Sequence, residues 1–173
     1  LFIDLLLKKD KPKKFTIKFN EAKRTVLKRD YEIFKRQKLD EERETLNSSD
    51  VIYLITPDRY ANGDKNNDEV NSLLEGSDRS NKDGRHGGDI QGIINNLDYI
   101  EDMGFTQIWL NPVLENNQAD YSYHGYSTTD YYKIDPRFGS NKLYQDLSRQ
   151  ARSRKIGLIK DLVLNHIGSG HWW

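Results

Sequence analysis

Residues 106–110, Thr106-Gln107-Ile108-Trp109-Leu110, form the middle one of three short apolar runs that decide the fold. The other two runs occupy residues 51–56 and 157–163. A short apolar run bounded by polar segments and glycine or proline is typical of a strand buried in a sheet. We therefore predict three buried strands, one at each run.

Each interval between two of these runs ends in a helical pattern. In the first interval, Gly104 ends a single predicted helix. The apolar residues that recur there at helical spacing are Ile93, Ile94, Leu97, Ile100 and Met103. In the second interval, Leu143, Leu147 and Ala151 mark a helix, and Ser140 is its candidate N-cap.

Strands that alternate with helices predict an α/β fold with parallel strands and right-handed crossovers. The strand-to-helix loops are long, whereas the helix-to-strand connections are short, which suits a (β/α)8 TIM barrel with its working loops at the C-terminal strand ends. Three strands of eight make this an incomplete barrel, and we expect the others beyond residue 173. A doubly wound open sheet is the alternative, but it usually carries a Gly-rich phosphate turn after its first strand.

The first 45 residues have a different character. Residues 1–7 are an apolar run, and Phe15, Ile17 and Phe19 alternate with polar residues as in a half-buried strand. We predict two or three antiparallel strands, the remnant of an antiparallel β-sandwich domain. Residues 1–45 are accordingly interpreted as the end of an N-terminal β-sandwich domain with its linker, and residues 46–173 as the N-terminal part of the barrel.

Composition excludes several classes of function. Lys and Arg number 27 and Asp and Glu number 27, so no basic excess favours a nucleic-acid partner. No apolar run approaches the length of a membrane span. The absence of cysteine excludes disulfides and thiolate chemistry.

One loop is rich in hard oxygen donors. Asn62-Gly63-Asp64-Lys65-Asn66-Asn67-Asp68 is followed by Gly87-Gly88-Asp89. Calcium takes about 6–8 oxygen ligands of this kind, although the spacing is not that of an EF-hand. Asn, Asp and Gly also cluster in ordinary turns, so composition alone leaves both interpretations open.

A second loop concentrates aromatic side chains. Tyr121-Ser122-Tyr123-His124-Gly125-Tyr126 is followed by Asp130-Tyr131-Tyr132. At the mouth of a barrel, such a loop could stack on the apolar faces of sugar rings and bind their hydroxyls. The alternative is that these aromatic side chains only pack the loop against the barrel.

The third candidate segment is Asp161-Leu162-Val163-Leu164-Asn165-His166, at the end of the third predicted strand. An Asp161 that points into the barrel needs a polar partner, because a buried unpaired carboxylate is costly. His166 comes at the strand's exit, where barrel active sites lie, although a lone histidine is more often structural. An inward Lys160 would be hard to bury, so we expect it to point outward.

Six segments in this order carry a resemblance to a known family. They are residues 57–64 (PDRYANGD), 86–92 (HGGDIQG), 109–113 (WLNPV), 123–126 (YHGY), 135–139 (DPRFG) and 161–166 (DLVLNH). Together they resemble the α-amylase superfamily of glycoside hydrolases, and within it the cyclomaltodextrinase/neopullulanase type. A β-sandwich precedes the barrel in that type, which fits the first 45 residues.

The resemblance implies a role for several residues. His124 and Tyr126 would line the sugar subsite next to the scissile bond, and His166 would hydrogen-bond the same sugar. Asp161 would be structural and paired with an arginine on the fourth strand. The implied calcium (Ca²⁺) ligands are Asn62, Asp64, Asn67, Asp68, Gly87 and Asp89. The catalytic nucleophile and acid/base are expected on strands beyond residue 173, so no catalytic residue is assigned.

The resemblance also implies an activity. The parent protein would cleave α-1,4 bonds in α-glucan oligosaccharides with retention, α-1,6 bonds being a further candidate, and this chain alone would be inactive without the rest of its barrel. Relatives of this type are commonly periplasmic or secreted, and some are cytoplasmic. The alternatives are a non-catalytic amylase-like module that binds carbohydrate or a partner, and a generic α/β domain.

Overall fold

The computed structural model describes residue 11, residues 13–33 and residues 46–172. The chain divides into two compact units between Leu46 and Asn47. The predicted strand at residues 1–7 and most of the predicted linker before residue 46 lie outside the described residues.

The described part of the first unit is an antiparallel hairpin. β1 (Lys13–Glu21) pairs with β2 (Arg24–Ile33), and Ala22 adopts a φ of 52° in the turn. Phe15 and Phe19 lie on the less exposed face of β1, as their alternation predicts. Two strands are the lower number predicted, and their place in a β-sandwich stays a prediction.

The second unit contains, in chain order, β3 (Ile52–Ile55), α1 (Pro57–Tyr60), α2 (Ile90–Asn95), α3 (Leu97–Asp102), β4 (Gln107–Leu110), β5 (Leu114–Glu115), β6 (Asp130–Ile134), α4 (Asn141–Ser153) and β7 (Gly157–Lys160). β3, β4 and β7 form a parallel sheet in the order β3-β4-β7. This pairing confirms that the three apolar runs are parallel neighbours. β7 ends earlier than predicted, because β4, its neighbour among the described strands, ends at Leu110 and offers Asp161 no ladder partner.

The helix predicted over residues 93–103 is wrong in one respect, since Asn96 divides it into α2 and α3. Asn96 adopts φ −113° and ψ 13°, and its Nδ2 donates to Gly92 O at 2.7 Å. The side chain thus takes the carbonyl that the Asn96 amide would bind in a continuous helix. Gly104, with a φ of 79°, ends α3 as predicted.

The predicted N-cap of α4 is confirmed. Ser140 Oγ accepts the Leu143 amide at 3.1 Å, which supplies one of the partners that the first helical turn lacks. Leu147 and Ala151 of α4 are fully buried. The helix therefore packs along the stripe that the sequence marks.

One face of the parallel sheet is packed against the helices. Ile55, Ile108 and Leu110 are at most 2% exposed and belong to the same core as the buried residues of α2, α3 and α4. On the opposite face, Leu54 and Trp109 remain 54% and 38% exposed. Because side chains alternate along a strand, the sheet places one apolar set in the core and the other on the face that a closed barrel would enclose.

Lys160 lies on the helix side of the sheet. Its Nζ is 5.6 Å from the centre of the Tyr144 ring on α4. This agrees with the expectation that the lysine points away from the barrel axis.

β5 and β6 form a short antiparallel ribbon after β4. The segment between them contains a 3₁₀ turn at Ser122–His124 and carries the tyrosine-rich loop. Among the described residues, no helix combines the length and the apolar character that crossing a bilayer requires.

Candidate functional site

The tyrosine-rich loop and the segment after β7 meet at Tyr126. His166 Nε2 donates to Tyr126 O at 2.8 Å, and the Tyr126 hydroxyl donates to Asp161 Oδ2 at 3.0 Å. The ring of His124 lies 5.7 Å from that of Tyr126, measured between centroids. The structure thus brings His124, Tyr126, Asp161 and His166 together at the C-terminal end of the sheet.

Asp161 has partners that the sequence did not identify. Besides the Tyr126 hydroxyl, Trp109 Nε1 donates to Asp161 Oδ2 at 3.3 Å. Trp109 lies between buried Ile108 and Leu110 but is itself 38% exposed. The sequence signal for this contact was a tryptophan near the C-terminal end of a predicted strand, on the same face of the sheet as Asp161. The arginine that the resemblance implies for Asp161 is expected outside this chain, so that pairing stays a prediction.

A backbone hydrogen bond fixes the tautomer of His124. The Tyr126 amide donates to His124 Nδ1 at 2.9 Å, so Nδ1 is the acceptor and the neutral ring carries its hydrogen on Nε2. Burial lowers the pKa of His124 below its ordinary value, and the charge of Glu75 opposes that shift. A neutral imidazole with one fixed N–H donor can bind a hydroxyl oxygen.

Tyr126 combines an accessible ring with an oriented hydroxyl. The residue is 38% exposed. Burial of part of the side chain raises the pKa of the Tyr126 hydroxyl, and its hydrogen bond to Asp161 raises that pKa further. The hydroxyl therefore stays protonated, and its oxygen can still accept a hydrogen bond from a ligand.

Close backbone packing positions the loop against the segment that follows β4. Gly125 has a φ of 84°, and a Cβ atom there would stand 1.9 Å from Pro112 O. Only glycine fits this approach without moving the backbone. Gly125 therefore sets the distance between the loop and the end of the sheet.

A tyrosine of the ribbon holds the segment after β7. The Tyr131 hydroxyl lies 2.8 Å from Val163 O and 2.7 Å from His166 O, and its hydrogen is shared between these carbonyls. Gly168 N donates to Thr128 O at 2.8 Å. These bonds fix the segment that carries His166 against the loop that carries Tyr126.

A buried ion pair lies beneath the loop. Arg137 Nε donates to Asp135 Oδ1 at 2.9 Å and Nη2 to Oδ2 at 2.8 Å. Burial by itself raises the pKa of Asp135, but the hydrogen bonds and charge of Arg137, together with Arg85, bring it below its ordinary value. This bidentate pair anchors the base of the ribbon.

The oxygen-rich loop closes around Asp89. Asp89 is fully buried. Its Oδ1 accepts hydrogen bonds from Gly63 N at 3.1 Å and from Gly92 N at 2.6 Å. Its Oδ2 accepts hydrogen bonds from Asp64 N at 2.8 Å and from Asn67 Nδ2 at 3.3 Å. The carboxylate therefore caps α2 and joins residues 63–67 to residue 89. Distant parts of the sequence meet here.

Two buried amide oxygens in this loop lack donors. Asn62 Nδ2 donates to Asp68 Oδ1 at 2.7 Å, and this bond fixes the orientation of the amide. The Asn67 amide is oriented by Asp89 in the same way. The Oδ1 atoms of Asn62 and Asn67 are consequently buried acceptors without a hydrogen-bond partner among the described residues.

These acceptors suit a hard cation. Calcium binds amide and carboxylate oxygens, and it would satisfy oxygens that otherwise lose solvation without compensation. Gly87, at a φ of 81°, leaves room here, since a Cβ atom would stand 2.6 Å from Asp68 Oδ1 and 2.8 Å from Asn62 Nδ2. Within the part of the chain that the structure describes, no three His, Asp or Glu side chains cluster so that they could hold a metal ion.

Comparisons with known proteins identify the family of this chain. The family described as "Alpha amylase, catalytic domain" matches residues 54–173. A "Beta/alpha-amylase" of Paenibacillus polymyxa is 46% identical over 123 residues, covering 70% of this chain and 10% of that protein. A cyclomaltodextrinase of Thermoanaerobacter pseudethanolicus is 41% identical over 118 residues, covering 68% of this chain and 20% of that protein.

A solved structure shares the fold as well. The crystal structure of an Anoxybacillus α-amylase superposes with a TM-score of 0.65 at 41% identity, covering 72% of this chain and 26% of that one. The chain thus spans about a tenth to a fifth of the length of these two curated relatives. The extensive match to the catalytic-domain family, with identity above 40% to amylolytic relatives, shows that this chain belongs to the α-amylase catalytic-domain family.

Proposed function

We propose that the protein to which this chain belongs hydrolyses α-1,4-glucosidic bonds in starch-derived maltooligosaccharides and retains the anomeric configuration. α-1,6 bonds are a second candidate linkage. Membership in the α-amylase family and the names of the amylolytic relatives support this reaction class. Retention needs two carboxylates about 5–5.5 Å apart. They are expected outside this chain, so we expect the chain alone to have no hydrolytic activity.

The observation that carries the proposal is the convergence at Tyr126. His166 bonds its carbonyl and Asp161 bonds its hydroxyl, and the His124 ring lies beside its own ring. Together they present an aromatic face, an N–H donor and a hydroxyl in one place. A glucose unit needs this combination, because its ring has apolar C–H faces and its rim has hydroxyl groups.

Titration with maltotriose tests the sugar site on the 173-residue chain. We expect NMR shifts at His124, Tyr126 and His166, and an affinity about fivefold weaker in Tyr126→Phe, which loses the hydroxyl but keeps the ring. Tyr99→Phe is the control, since Tyr99 lies on α3 and is 53% exposed. Equal affinity in the two variants would refute a contribution of the Tyr126 hydroxyl to sugar binding.

Hydrolysis is tested separately on the product of the complete reading frame. We expect it to release reducing sugar from maltooligosaccharides, and we expect no release by the 173-residue chain. A complete protein that binds maltotriose but releases nothing would be a non-catalytic carbohydrate-binding module instead.

The oxygen-rich loop is proposed as a structural calcium site. Asn62 and Asn67 would contribute amide oxygens, and Asp64 and Asp68 would contribute carboxylates. Gly87 would contribute its carbonyl oxygen and the space that its missing Cβ leaves. The unpartnered buried amide oxygens support this assignment. Asp89 would act mainly by holding the loop in shape, because N–H donors already meet both of its oxygens.

Calorimetry tests the calcium site without any activity measurement. Calcium at about a hundred times its dissociation constant should stabilise the fold by about 2.7 kcal/mol. Asn62→Ala should abolish this rise in unfolding temperature, whereas Asn71→Ala, an exposed asparagine nearby in sequence, should retain it. The absence of any calcium-dependent shift in the unaltered chain would refute the site.

A further inference from the structure

Ser122 is a buried residue whose polar groups are all bonded to other segments. Its exposed fraction is 0%. Its amide donates to Glu75 Oε2 at 2.7 Å, its hydroxyl accepts Arg85 Nη1 at 3.1 Å, and its carbonyl accepts Asn116 Nδ2 at 3.1 Å. Three side chains from three parts of the sequence therefore hold one residue of the tyrosine-rich loop.

The backbone around Glu75 and Asn116 is itself anchored. Arg137 Nη1 donates to Glu75 O at 2.7 Å and Nη2 to Asn116 O at 2.9 Å. Asn116 N donates in turn to Asp135 Oδ2 at 3.1 Å. The Arg137–Asp135 ion pair thus fixes the backbone of Glu75 and Asn116, whose side chains bind Ser122.

Arg85 is anchored in a different way. It is 1% exposed, its guanidinium carbon lies 4.6 Å from the centre of the Phe138 ring, and its Nε is 3.8 Å from Asp58 Oδ1. A guanidinium buried between an aromatic ring and a carboxylate has little freedom to move. The hydroxyl of Ser122 is therefore bonded to a fixed donor.

Ser122 begins the 3₁₀ turn that ends at His124. Gly125 N returns to Ser122 O at 3.3 Å, which closes the turn. The preceding residue, Tyr121, has a φ of 59°, in the left-handed region. Because the turn is short and closed, displacement of Ser122 displaces His124 and the amide of Tyr126, which bonds His124 Nδ1 at 2.9 Å.

We propose that Glu75 and Ser122 are positioning residues for His124, with Glu75 holding the turn through the Ser122 amide so that the Nε2–H of His124 is directed at the ligand. This inference rests on the proposed sugar-binding function of His124. Glu75 need not touch the sugar, because it acts through the turn. Directed N–H groups contribute to binding only when their geometry is held by such supporting contacts.

The chain offers a matched control for Glu75. Glu69 lies in the same loop, and its Oε1 accepts Ser77 N at 2.8 Å, the same kind of carboxylate-to-amide bond. That bond does not touch the 3₁₀ turn. Glu69→Ala and Glu75→Ala therefore each remove one carboxylate-to-amide bond and one negative charge, but only Glu75 holds Ser122, and its charge also acts on His124. Glu75→Gln separates these two effects, because it removes the charge and keeps an acceptor for the Ser122 amide.

The test uses the 173-residue chain with ¹⁵N-labelled histidine, of which there are four. The ring ¹⁵N shifts report the tautomer of His124, and maltotriose titration reports affinity. We expect Glu75→Ala to convert His124 from the Nε2–H form to a mixture and to weaken maltotriose binding about fivefold. Ser122→Ala, which keeps the backbone bonds, should shift both readouts less and in the same direction.

Glu75→Gln should restore both readouts, since its amide oxygen can accept the Ser122 amide, and Glu69→Ala should leave both unchanged. The proposal is overturned if Glu75→Ala and Ser122→Ala leave the tautomer and the affinity within about twofold of the unaltered chain, or if Glu69→Ala shifts them equally. Failure of the unaltered chain to bind maltotriose would refute the sugar site alone. The tautomer comparison would still decide the positioning role.

Discussion

Replacement of Asp89 by alanine is expected to destabilise the second unit more than any ordinary surface substitution. The carboxylate is 0% exposed and accepts four N–H donors. The Gly92 amide is itself buried and would lose its partner, at a cost of about 2 kcal/mol. The three partly buried donors can form hydrogen bonds with water instead, so each adds only about 0.5–1 kcal/mol to the loss of stability.

These contributions give an expected loss of about 4 kcal/mol for Asp89→Ala. Asp89→Asn should lose less, about 1–2 kcal/mol, because asparagine also caps helices and keeps one acceptor oxygen. Comparison of the two variants therefore separates the loss of both acceptor oxygens, in Asp89→Ala, from the loss of one, in Asp89→Asn.

Urea unfolding in excess EDTA is the appropriate assay, because chelation removes any contribution from bound metal. A lower midpoint at unchanged slope reports a change in the free energy of unfolding. Asp98→Ala is the control, since the Asp98 side chain is 83% exposed and pairs with Arg154 on the surface. If Asp89→Ala shifts the midpoint no more than Asp98→Ala, the four bonds do not stabilise the loop.

Three further predictions concern single residues. Gly125→Ala should destabilise by about 3 kcal/mol in thermal unfolding, because its Cβ meets Pro112 O at 1.9 Å at a φ of 84°. Gly104→Ala, with a φ of 79° but nothing within 4 Å, should lose only about 1 kcal/mol, and equal losses would contradict the steric argument. The pKa of His124 is lower in the folded chain than its ordinary value of 6.5. Just below pH 6.5 the unfolded chain therefore binds more protons than the folded chain, so the free energy of unfolding should rise with pH through that interval. This rise should be less steep in His124→Gln. Burial raises the pKa of Tyr144 to about 12, so its ionisation should favour unfolding above the ordinary pKa of 10.0. The free energy of unfolding should therefore fall with pH in this range, and it should fall less steeply in Tyr144→Phe. An unchanged pH dependence in the variant would argue against burial of the hydroxyl.

Much of the fold of the second unit could be predicted from local pattern. The apolar runs become β3, β4 and β7, in parallel order. Ser140 caps α4, and Gly104 ends α3, as their positions in the pattern predict. These features depend on residues close in sequence, which is why periodicity and capping residues identify them.

The errors arose where a contact outside the pattern decided the outcome. The break at Asn96 comes from a side chain that takes the Gly92 carbonyl, which apolar spacing does not register. The early end of β7 comes from the end of β4, a strand in another part of the sequence. The partners of Asp161 required knowledge that Trp109 and Tyr126 face it.

Local sequence determined which segments are strands and helices, where glycine is required, and which loops carry oxygen donors and aromatic rings, because these properties depend on neighbours a few residues apart. Tertiary structure alone decided that Tyr126 lies between His166 and Asp161, that Asp89 joins two distant loops, and that Glu75 holds Ser122. These contacts join residues 25 to 47 positions apart, and only the packing of the sheet, helices and loops brings such residues within hydrogen-bonding distance.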